Sequence, residues 1–492
     1  MSLKIVENLA GTEPENKGYP LISCHHGNAR RLVDKVGDRF CWIEDLSCFA
    51  VFDPNRGIWV HDIDEVAMWD LTDEISDDIF KAYGADAQES YLFAQMRAGT
   101  IQFCRSAGKR VNSKMFAGNP DLYNVANGTI DLNNGALLPW SASDHLMQRS
   151  DVVFPGLDAP EPERYNRFLE EIWRDHPQIP AFWKRVVGFT LTGHVKPAQL
   201  FVLHGDGSNG KSTLMTVLKA MHGIDDLTGY AGTAKATLIT DPDATNTMDA
   251  IAVTYGKRFI SYGEPKRKVP LTENIVKDLT GGDLIQAKFL YKRSFSFLPT
   301  AKNFLPTNHL PEIEGTDNGI RRRVCLIPFE RQWTEDETLV TPDMPLAEKG
   351  LEEKLRAELP LILAQSVRAC LEFKQYGLGI PEAVSAATKQ YIASQDKKGL
   401  QSLGWKAFLS SGMVRLDANA PRMRTTKQPE LQATYNSWAA TNGHPTISAT
   451  KDMADVARCT SGVTNGSQGG WHGIYINHMD DADRALLASL KG

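Results

Sequence analysis

No apolar run in this chain approaches the length that crosses a bilayer, and Met1-Ser2-Leu3-Lys4-Ile5-Val6-Glu7 lacks the apolar core of a secretory signal. The expectation is a protein that works in the cytoplasm, without a membrane partner. Cysteine is sparse: seven residues, dispersed, with no C-x-x-C pair. That excludes a disulfide scaffold and suits buried thiols in a reducing compartment. Cys24-His25-His26 has the residue types of a metal corner, but no second ligand cluster accompanies it, so an ordinary loop is expected there. Charge of one sign is also lacking. A net charge of −6 does not mark a general nucleic-acid binder, although a protein that holds DNA in one narrow channel needs only local positive charge. Internal repeats and low-complexity blocks are absent. What remains, at 492 residues with 42% hydrophobic and 23% charged, is an ordinary globular composition. The length suits about two to four domains.

One stretch carries the strongest chemical signal. Leu200-Phe201-Val202-Leu203-His204, an apolar run of strand length, leads into Gly205-Asp206-Gly207-Ser208-Asn209-Gly210-Lys211-Ser212-Thr213, and Leu214 to Met221 then reads as a helix. G-x-x-x-x-G-K-S between a strand and a helix is the context of a phosphate-binding loop. The glycines let the backbone wrap closely, so that successive N–H groups point into one cavity. Lys211 is expected to reach the β- and γ-phosphates and the Ser212 hydroxyl to ligate Mg²⁺, with the positive end of the helix dipole behind them. The expected cofactors are ATP and Mg²⁺.

Further signals follow in order. Arg258-Phe259-Ile260-Ser261-Tyr262-Gly263-Glu264 is an apolar strand ending in an acid, as a Walker B element requires to hold Mg²⁺ and orient water. Leu284 to Leu290, which includes Lys288, and Phe295 to Leu298 flank the polar tip Tyr291-Lys292-Arg293-Ser294. This predicts a hairpin whose tip either grips nucleic-acid phosphates and stacks on a base or is simply a solvated turn. Asn303 to Asn308 predicts another strand with a polar end, where Asn308 can bond a γ-phosphate or the attacking water. Thr316-Asp317-Asn318-Gly319-Ile320 leads into Arg321-Arg322-Arg323 and the strand Val324 to Phe329. Among these arginines one is a candidate finger for a neighbouring subunit's γ-phosphate.

Upstream, Phe40 to Ile43, Cys48 to Phe52 and Ile58 to Val60 predict a small sheet with its tryptophans inside. Helical patterning covers Asp62 to about Ala107, and Leu122 to Leu132 reads as a strand pair turning at Asn127-Gly128. Pro155 to Pro162 looks like a linker, and Tyr165 to Leu191 like one or two helices. Downstream, Leu351 to Gln375 and Pro381 to Ser394 are helical. Residues 402 to 478 suggest a small helical domain with landmarks at Leu431 to Thr441, Thr450 to Arg458 and the strand Trp471 to Ile476. Helices followed by a strand pair suit either a winged helix that docks DNA or a partner, or a simple cap.

Gly205 to Thr213, Phe259 to Glu264, Leu279-Thr280-Gly281-Gly282-Asp283, Phe289-Leu290-Tyr291-Lys292, Thr307-Asn308-His309-Leu310-Pro311 and Gly319 to Phe329, in this order and spacing, resemble the superfamily 3 DNA helicases. The branch is the phage and plasmid replicative one, related to the poxvirus primase-helicase. Asn124 to Gly135 and Trp183 to Phe189 resemble the domain that precedes the helicase in that family. The resemblance implies an α/β protein with an AAA+-type P-loop ATPase core, assembled as a homo-hexameric ring around single-stranded DNA and translocating 3′ to 5′. It implies Lys211 and Ser212 on the triphosphate and Mg²⁺, Glu264 as the Walker B acid and second metal contact, and Asn308 as the polar sensor. Lys292, with Tyr291 or Arg293, would sit on the DNA-gripping hairpin beside Lys288. Arg322 is the first finger candidate and Arg323 the second, with Lys302 a further contribution from the neighbour. Two departures stand out: related sequences often carry an aromatic where Arg321 stands, and Gly263 replaces a second Walker B acid.

The resulting domain expectation is a leader over 1–38, an α+β helicase-associated domain over 39–160, a helical collar over 161–196 and the ATPase core over 197–332. A helical subdomain over 333–395 and a winged-helix-like domain over 396–492 follow. Larger relatives carry a primase upstream, and fewer than forty residues precede the first strands here, so a separate primase or polymerase is an expected partner. The leading expectation is an ATP-driven replicative helicase of a phage or other mobile element, acting on single-stranded or forked DNA in the bacterial or host cytoplasm. The rival is an initiator or loader that uses ATP as an assembly switch and opens origin DNA without processive unwinding.

Overall fold

The computed structural model describes residues 24–225, 227–241, 247–267, 269–288, 294–313, 318–395, 405–411, 413–416, 426–447, 464–465, 470–472 and 474–476. The chain divides into two compact units, 1–388 and 389–492.

The first unit opens with α1 (His25–Val36), within the segment expected to be a leader. Ala29, Leu32 and Val36 recur at helical spacing and are fully or almost fully buried, which is why this stretch folds onto the domain rather than trailing from it. Cys24 is the residue before the helix, so the expected Cys-His-His loop is a helix start. His25 Nδ1 lies 3.3 Å from the Met96 carbonyl and His26 packs edge-on to Phe103.

β1 (Phe40–Ile43), β2 (Cys48–Asp53) and β3 (Ile58–Asp62) form an antiparallel ribbon. The helices α2 (Val66–Asp73), α3 (Ser76–Tyr83), α4 (Ala85–Leu92) and α5 (Ala94–Ala107) follow, and β4 (Lys109–Val111) joins β1 in parallel. β2 is apolar on both faces because both are covered: Phe49 and Val51 pack with the helices, while Cys48, Ala50 and Phe52 pack with Trp59, Phe116 and Met147. Trp59 is buried as expected; Trp42 is half-exposed, beneath the Arg105 guanidinium at 4.9 Å. β5 (Leu122–Val125), β6 (Gly128–Asp131) and β7 (Ala136–Leu138) make a meander, with the turn at Asn127-Gly128 as predicted.

α6 (Glu163–Ile172) and α7 (Ile179–Leu191) bring the chain to a five-stranded, all-parallel sheet. Its elements are β8 (Leu200–His204), α8 (Lys211–His222), β9 (Ala231–Ala234), α9 (Thr237–Thr240), α10 (Thr247–Ala252), β10 (Phe259–Tyr262) and α11 (Glu273–Thr280). The antiparallel hairpin β11 (Ile285–Lys288) and β12 (Ser294–Phe297), then β13 (Lys302–Thr307), α12 (Asn318–Arg321) and β14 (Val324–Pro328), complete it. The strand order is β14-β8-β13-β10-β9. β8 therefore sits between two strands that follow it by about a hundred residues, and its apolar run is buried on both faces. α13 (Leu351–Ala357) and α14 (Leu359–Tyr376) follow, α14 lying along α7, and α15 (Glu382–Ser394) spans the division between the two units. Gly188 makes that close approach possible: a Cβ there would stand 2.4 Å from the Cys370 backbone nitrogen.

In the second unit the helix Gln428–Thr441 packs Leu431, Tyr435 and Ala439 on Trp405, Phe408 and Ile474. The single strand expected over Trp471 to Ile476 is two strands in different sheets. Gly470–His472 lies between Thr426–Lys427 and Thr464–Asn465, while Ile474–Ile476 pairs with Val414–Leu416. Thr450 to Arg458 lies outside the described residues.

Candidate functional site

The carboxyl ends of four parallel strands converge. β8 delivers residues 205–210, β10 delivers Glu264, β13 Asn308 and β14 Phe329. In open parallel sheets this edge is where ligand clefts form. The loop runs through three residues in the left-handed region, Gly207 (φ 99°), Ser208 (φ 47°) and Gly210 (φ 80°). Gly205 has no room for a side chain, because a Cβ would come within 2.1 Å of the Phe329 carbonyl oxygen. The glycine spacing read from the sequence is thus set by backbone curvature and by contact with the neighbouring strand.

Lys211 is the first residue of α8 and is buried, yet it lines the cleft. Its Nζ donates to Gly205 O (2.7 Å), Asn209 Oδ1 (2.8 Å) and Asn308 Oδ1 (3.0 Å), so three oxygens take up its three protons. Burial holds its pKa below the ordinary lysine value, while Glu264 and Asp206 pull the other way. Asn308 in turn donates its backbone N–H to Glu264 Oε1 at 3.1 Å. Glu264, Asn308 and Lys211 therefore form one hydrogen-bonded chain across three strand ends. Ser212 and Glu264 are exposed on the walls of a cleft of about 440 Å³, together with Gly207, Ser208, Asn209, Gly210, Thr213 and residues 306–308. The set can present an ammonium, a hydroxyl, a carboxylate and a helix N-terminus to one anionic ligand. Among the described residues no cluster of three or more His, Cys, Asp or Glu could hold a metal by protein ligands alone. Ser212 and Glu264 suit an ion that takes its remaining oxygens from phosphate and water.

Sequence reasoning missed the strap over this loop. Trp333 N donates to Ser208 O (2.8 Å), Gln332 Nε2 to Gly207 O (3.4 Å), and Asn209 Nδ2 to Phe329 O (3.2 Å). The partners lie more than 110 residues apart, and no local pattern marks them.

Other expected residues lie elsewhere. Arg322 and Arg323 precede β14, at the amino end of the sheet; with five-residue strands, that is about 16 Å from the loop. Arg322 is exposed, whereas Arg323 Nη1 is tied to Gly319 O at 2.7 Å. Lys302 corrects an expectation. Its side chain is sealed inside its own chain, with Nζ bonded to Thr192 O and Thr300 O and 4.7 Å from the Phe189 ring, so it cannot reach a neighbour. Lys288 is exposed at the end of β11. Phe289, Leu290, Tyr291, Lys292 and Arg293, the expected tip, lie outside the described residues, as do Thr316 and Asp317.

Comparison with known proteins adds a family signal. Residues 29–174 match the family model described as D5 N terminal like. The chain is 26% identical over 308 residues to a protein of Acanthamoeba polyphaga mimivirus whose name reads "Putative helicase", covering 60% of this chain and 31% of that protein. It is 24% identical over 322 residues to a protein of Frog virus 3 (isolate Goorha) with the same printed description, covering 63% and 31%. The chain thus spans 31% of the length of these curated relatives. A solved structure, the apo C terminal region of NrS-1, aligns with a TM-score of 0.49 at 11% identity, covering 91% of this chain and 98% of that one. No helix among the described residues is long and apolar enough to cross a membrane.

Proposed function

We infer that the chain is an ATP-driven DNA helicase of a replication apparatus, and that the carboxyl edge of the parallel sheet is its nucleotide site. The observation that carries this reading is the chain Lys211–Asn308–Glu264 closing on a glycine loop at a helix N-terminus. The names of the mimiviral and frog-virus relatives support the helicase half of it. In this reading Lys211 exchanges its three oxygens for those of the β- and γ-phosphates, and the backbone of residues 205–213 cradles the phosphates. Ser212 and Glu264 hold Mg²⁺, Glu264 orients the attacking water, and Asn308 reports the γ-phosphate to both. In this reading the core is of AAA+ type, and the second unit serves as a docking module.

Arg322 stands at the opposite end of the sheet from Lys211, so it can complete a phosphate pocket only in another copy of the chain. In this reading the site is shared between neighbours in a ring; six copies, 3′ to 5′ movement and a grip on single-stranded DNA by Lys288, Tyr291, Lys292 and Arg293 belong to the same proposal and rest on the sequence resemblance alone. A forked-duplex assay with ATP tests the reading. The wild-type chain is expected to separate a substrate bearing a 3′ tail. Lys211→Ala and Arg322→Ala should each be inactive alone and partly active when mixed, because a mixed interface can combine an intact loop with an intact arginine. Hydrolysis that persists without strand separation would favour the ATP-switched loader instead.

A further inference from the structure

The phosphate-side cleft has a larger neighbour that shares part of its lining. Gly207, Ser208, Gly210 and Thr213 line both. The second cleft has a volume of about 990 Å³, against about 440 Å³ on the Lys211 side. Its chemistry is also different. Lys211, Glu264 and Asn308 do not line it; its walls instead carry the half-exposed Trp333, the edge of Phe168 and the aliphatic Leu346 and Leu351. The Phe168 ring would lie 3.1 Å from a Cβ at Gly210, so this aromatic floor abuts the loop itself.

Charge orients a ligand across the two clefts. Glu335, Asp336, Glu348, Glu352 and Glu353 line the larger one. Against these carboxylates stand two guanidinium groups: Arg164 is paired with Glu171 and Glu348, and Arg331 donates to the Glu171 carbonyl. A polyphosphate is repelled from such walls and drawn to Lys211. A neutral, hydrogen-bonding, flat group attached to that polyphosphate is not repelled. Trp333 is fixed for such a group. Its backbone N–H is bonded to Ser208 O at 2.8 Å, and the Arg331 guanidinium carbon lies 5.5 Å from its ring centroid.

We propose that this cleft is the nucleoside subsite of the site inferred above, that it takes the base and sugar of a nucleoside triphosphate, and that Trp333 is the stacking platform that sets affinity for the base. The proposal rests on the phosphate-loop reading and adds to it which part of the ligand goes where. Carboxylates at the rim accept hydrogen bonds from sugar hydroxyls and an exocyclic amine, which phosphate oxygens cannot offer.

The experiment compares ATP with inorganic tripolyphosphate, each with Mg²⁺, by calorimetric titration of the full chain. The wild type is expected to bind ATP at least about tenfold more tightly than tripolyphosphate, the scale of one base–aromatic stack. Trp333→Ala should remove about tenfold from ATP affinity and leave tripolyphosphate unchanged, which also shows that the loop is intact. Trp333→Phe should recover most of the loss. Equal affinities of the wild type for both ligands, or ATP binding indifferent to Trp333→Ala, would overturn the subsite while leaving the phosphate loop standing. Loss of both ligands together in Trp333→Ala, with Trp333→Phe no better, would reduce Trp333 to a structural strap. Tripolyphosphate binding that Lys211→Ala does not weaken would instead remove the underlying site, and the subsite with it.

Discussion

The two ends of the parallel sheet handle buried cations in the same way and to opposite effect. At the carboxyl end, Lys211 is held by Gly205 O, Asn209 and Asn308 but lines an open cleft. At the amino end, Lys302 is buried and held by carbonyls of Thr192 and Thr300, and Arg258 is held by those of Asn119, Pro120, Leu191 and Leu122. None of these bonds is to a carboxylate. Burial lowers the pKa in all three cases, and at Lys302 the Arg258 charge adds to it. The difference lies in what can replace the oxygens. A phosphate can displace those around Lys211, because Asn308 and Asn209 are side chains and the cleft admits a ligand. The amino-end cations fasten backbone segments, Arg258 joining the 119–122 turn to the first residues of β10; the cavity of about 220 Å³ that Arg258 borders is lined mainly by apolar and aromatic side chains, and the guanidinium is held by backbone carbonyls that cannot swing aside. Whether the groups that hold the cation can be exchanged, together with ligand access, separates a site from a rivet.

The strongest way to break this comparison is Lys211→Ala. Nucleotide hydrolysis should fall by about a thousandfold or more, in line with losing a charge aimed at the transferring phosphoryl group. The melting midpoint should move little, since the substitution also removes a partly desolvated charge. Turnover near the wild-type rate would dissolve the distinction. Arg258→Ala should do the reverse and destabilise by about 3–5 kcal/mol, because several buried carbonyls lose their donor together. A melting scan should show it as a drop of about 5 °C or more. Lys302→Met should cost less, about 1–2 kcal/mol, since it keeps the volume while deleting the charge and orphaning only the Thr192 and Thr300 carbonyls. If Lys302→Met proved as damaging as Arg258→Ala, the charge itself would matter beyond its bonds.

A pH-dependent effect sharpens the picture at the amino end. His222 sits between Tyr123 and Thr190, each 2.8 Å away, and burial together with the Lys302 and Arg258 charges pushes its pKa down to about 3. It is neutral in the folded chain, whereas in the unfolded chain it titrates near the ordinary value of about 6.5. Between these values the unfolded state binds the extra proton, so stability is lost as pH falls below about 6.5, by at most about 1.4 kcal/mol per pH unit for this group. Melting midpoints at pH 7 and pH 5 should differ accordingly, and less in a His222→Gln variant. An identical pH dependence in both would mean that His222 is not the sensitive group.

Reading the sequence worked where local pattern and local structure coincide. The strand–loop–helix around Lys211 and the strands ending at Glu264 and Asn308 were legible because an apolar run followed by a polar residue needs no distant partner to be recognised. The hairpin arms at Ile285–Lys288 and Ser294–Phe297 were legible for the same reason. α1 was missed: a mean of polar and small residues hides Ala29, Leu32 and Val36, whose burial depends on α5 arriving some seventy residues later. Lys302 was misread as available to a neighbouring subunit, because nothing in the local sequence marks the Thr192 carbonyl and the Phe189 ring that enclose it.

By itself the sequence determined the loop's curvature and the order of the chemical groups, since glycine, lysine and serine spacing acts within one turn of backbone. Which groups meet, and which face water, was decided by strand order. Placing β8 between β13 and β14 puts Asn308 on Lys211 and Phe329 on Gly205, sends Arg322 to the far edge, and seals Lys302. Those contacts span tens to more than a hundred residues, and their sign, site or rivet, follows from what the packed sheet leaves open to a ligand.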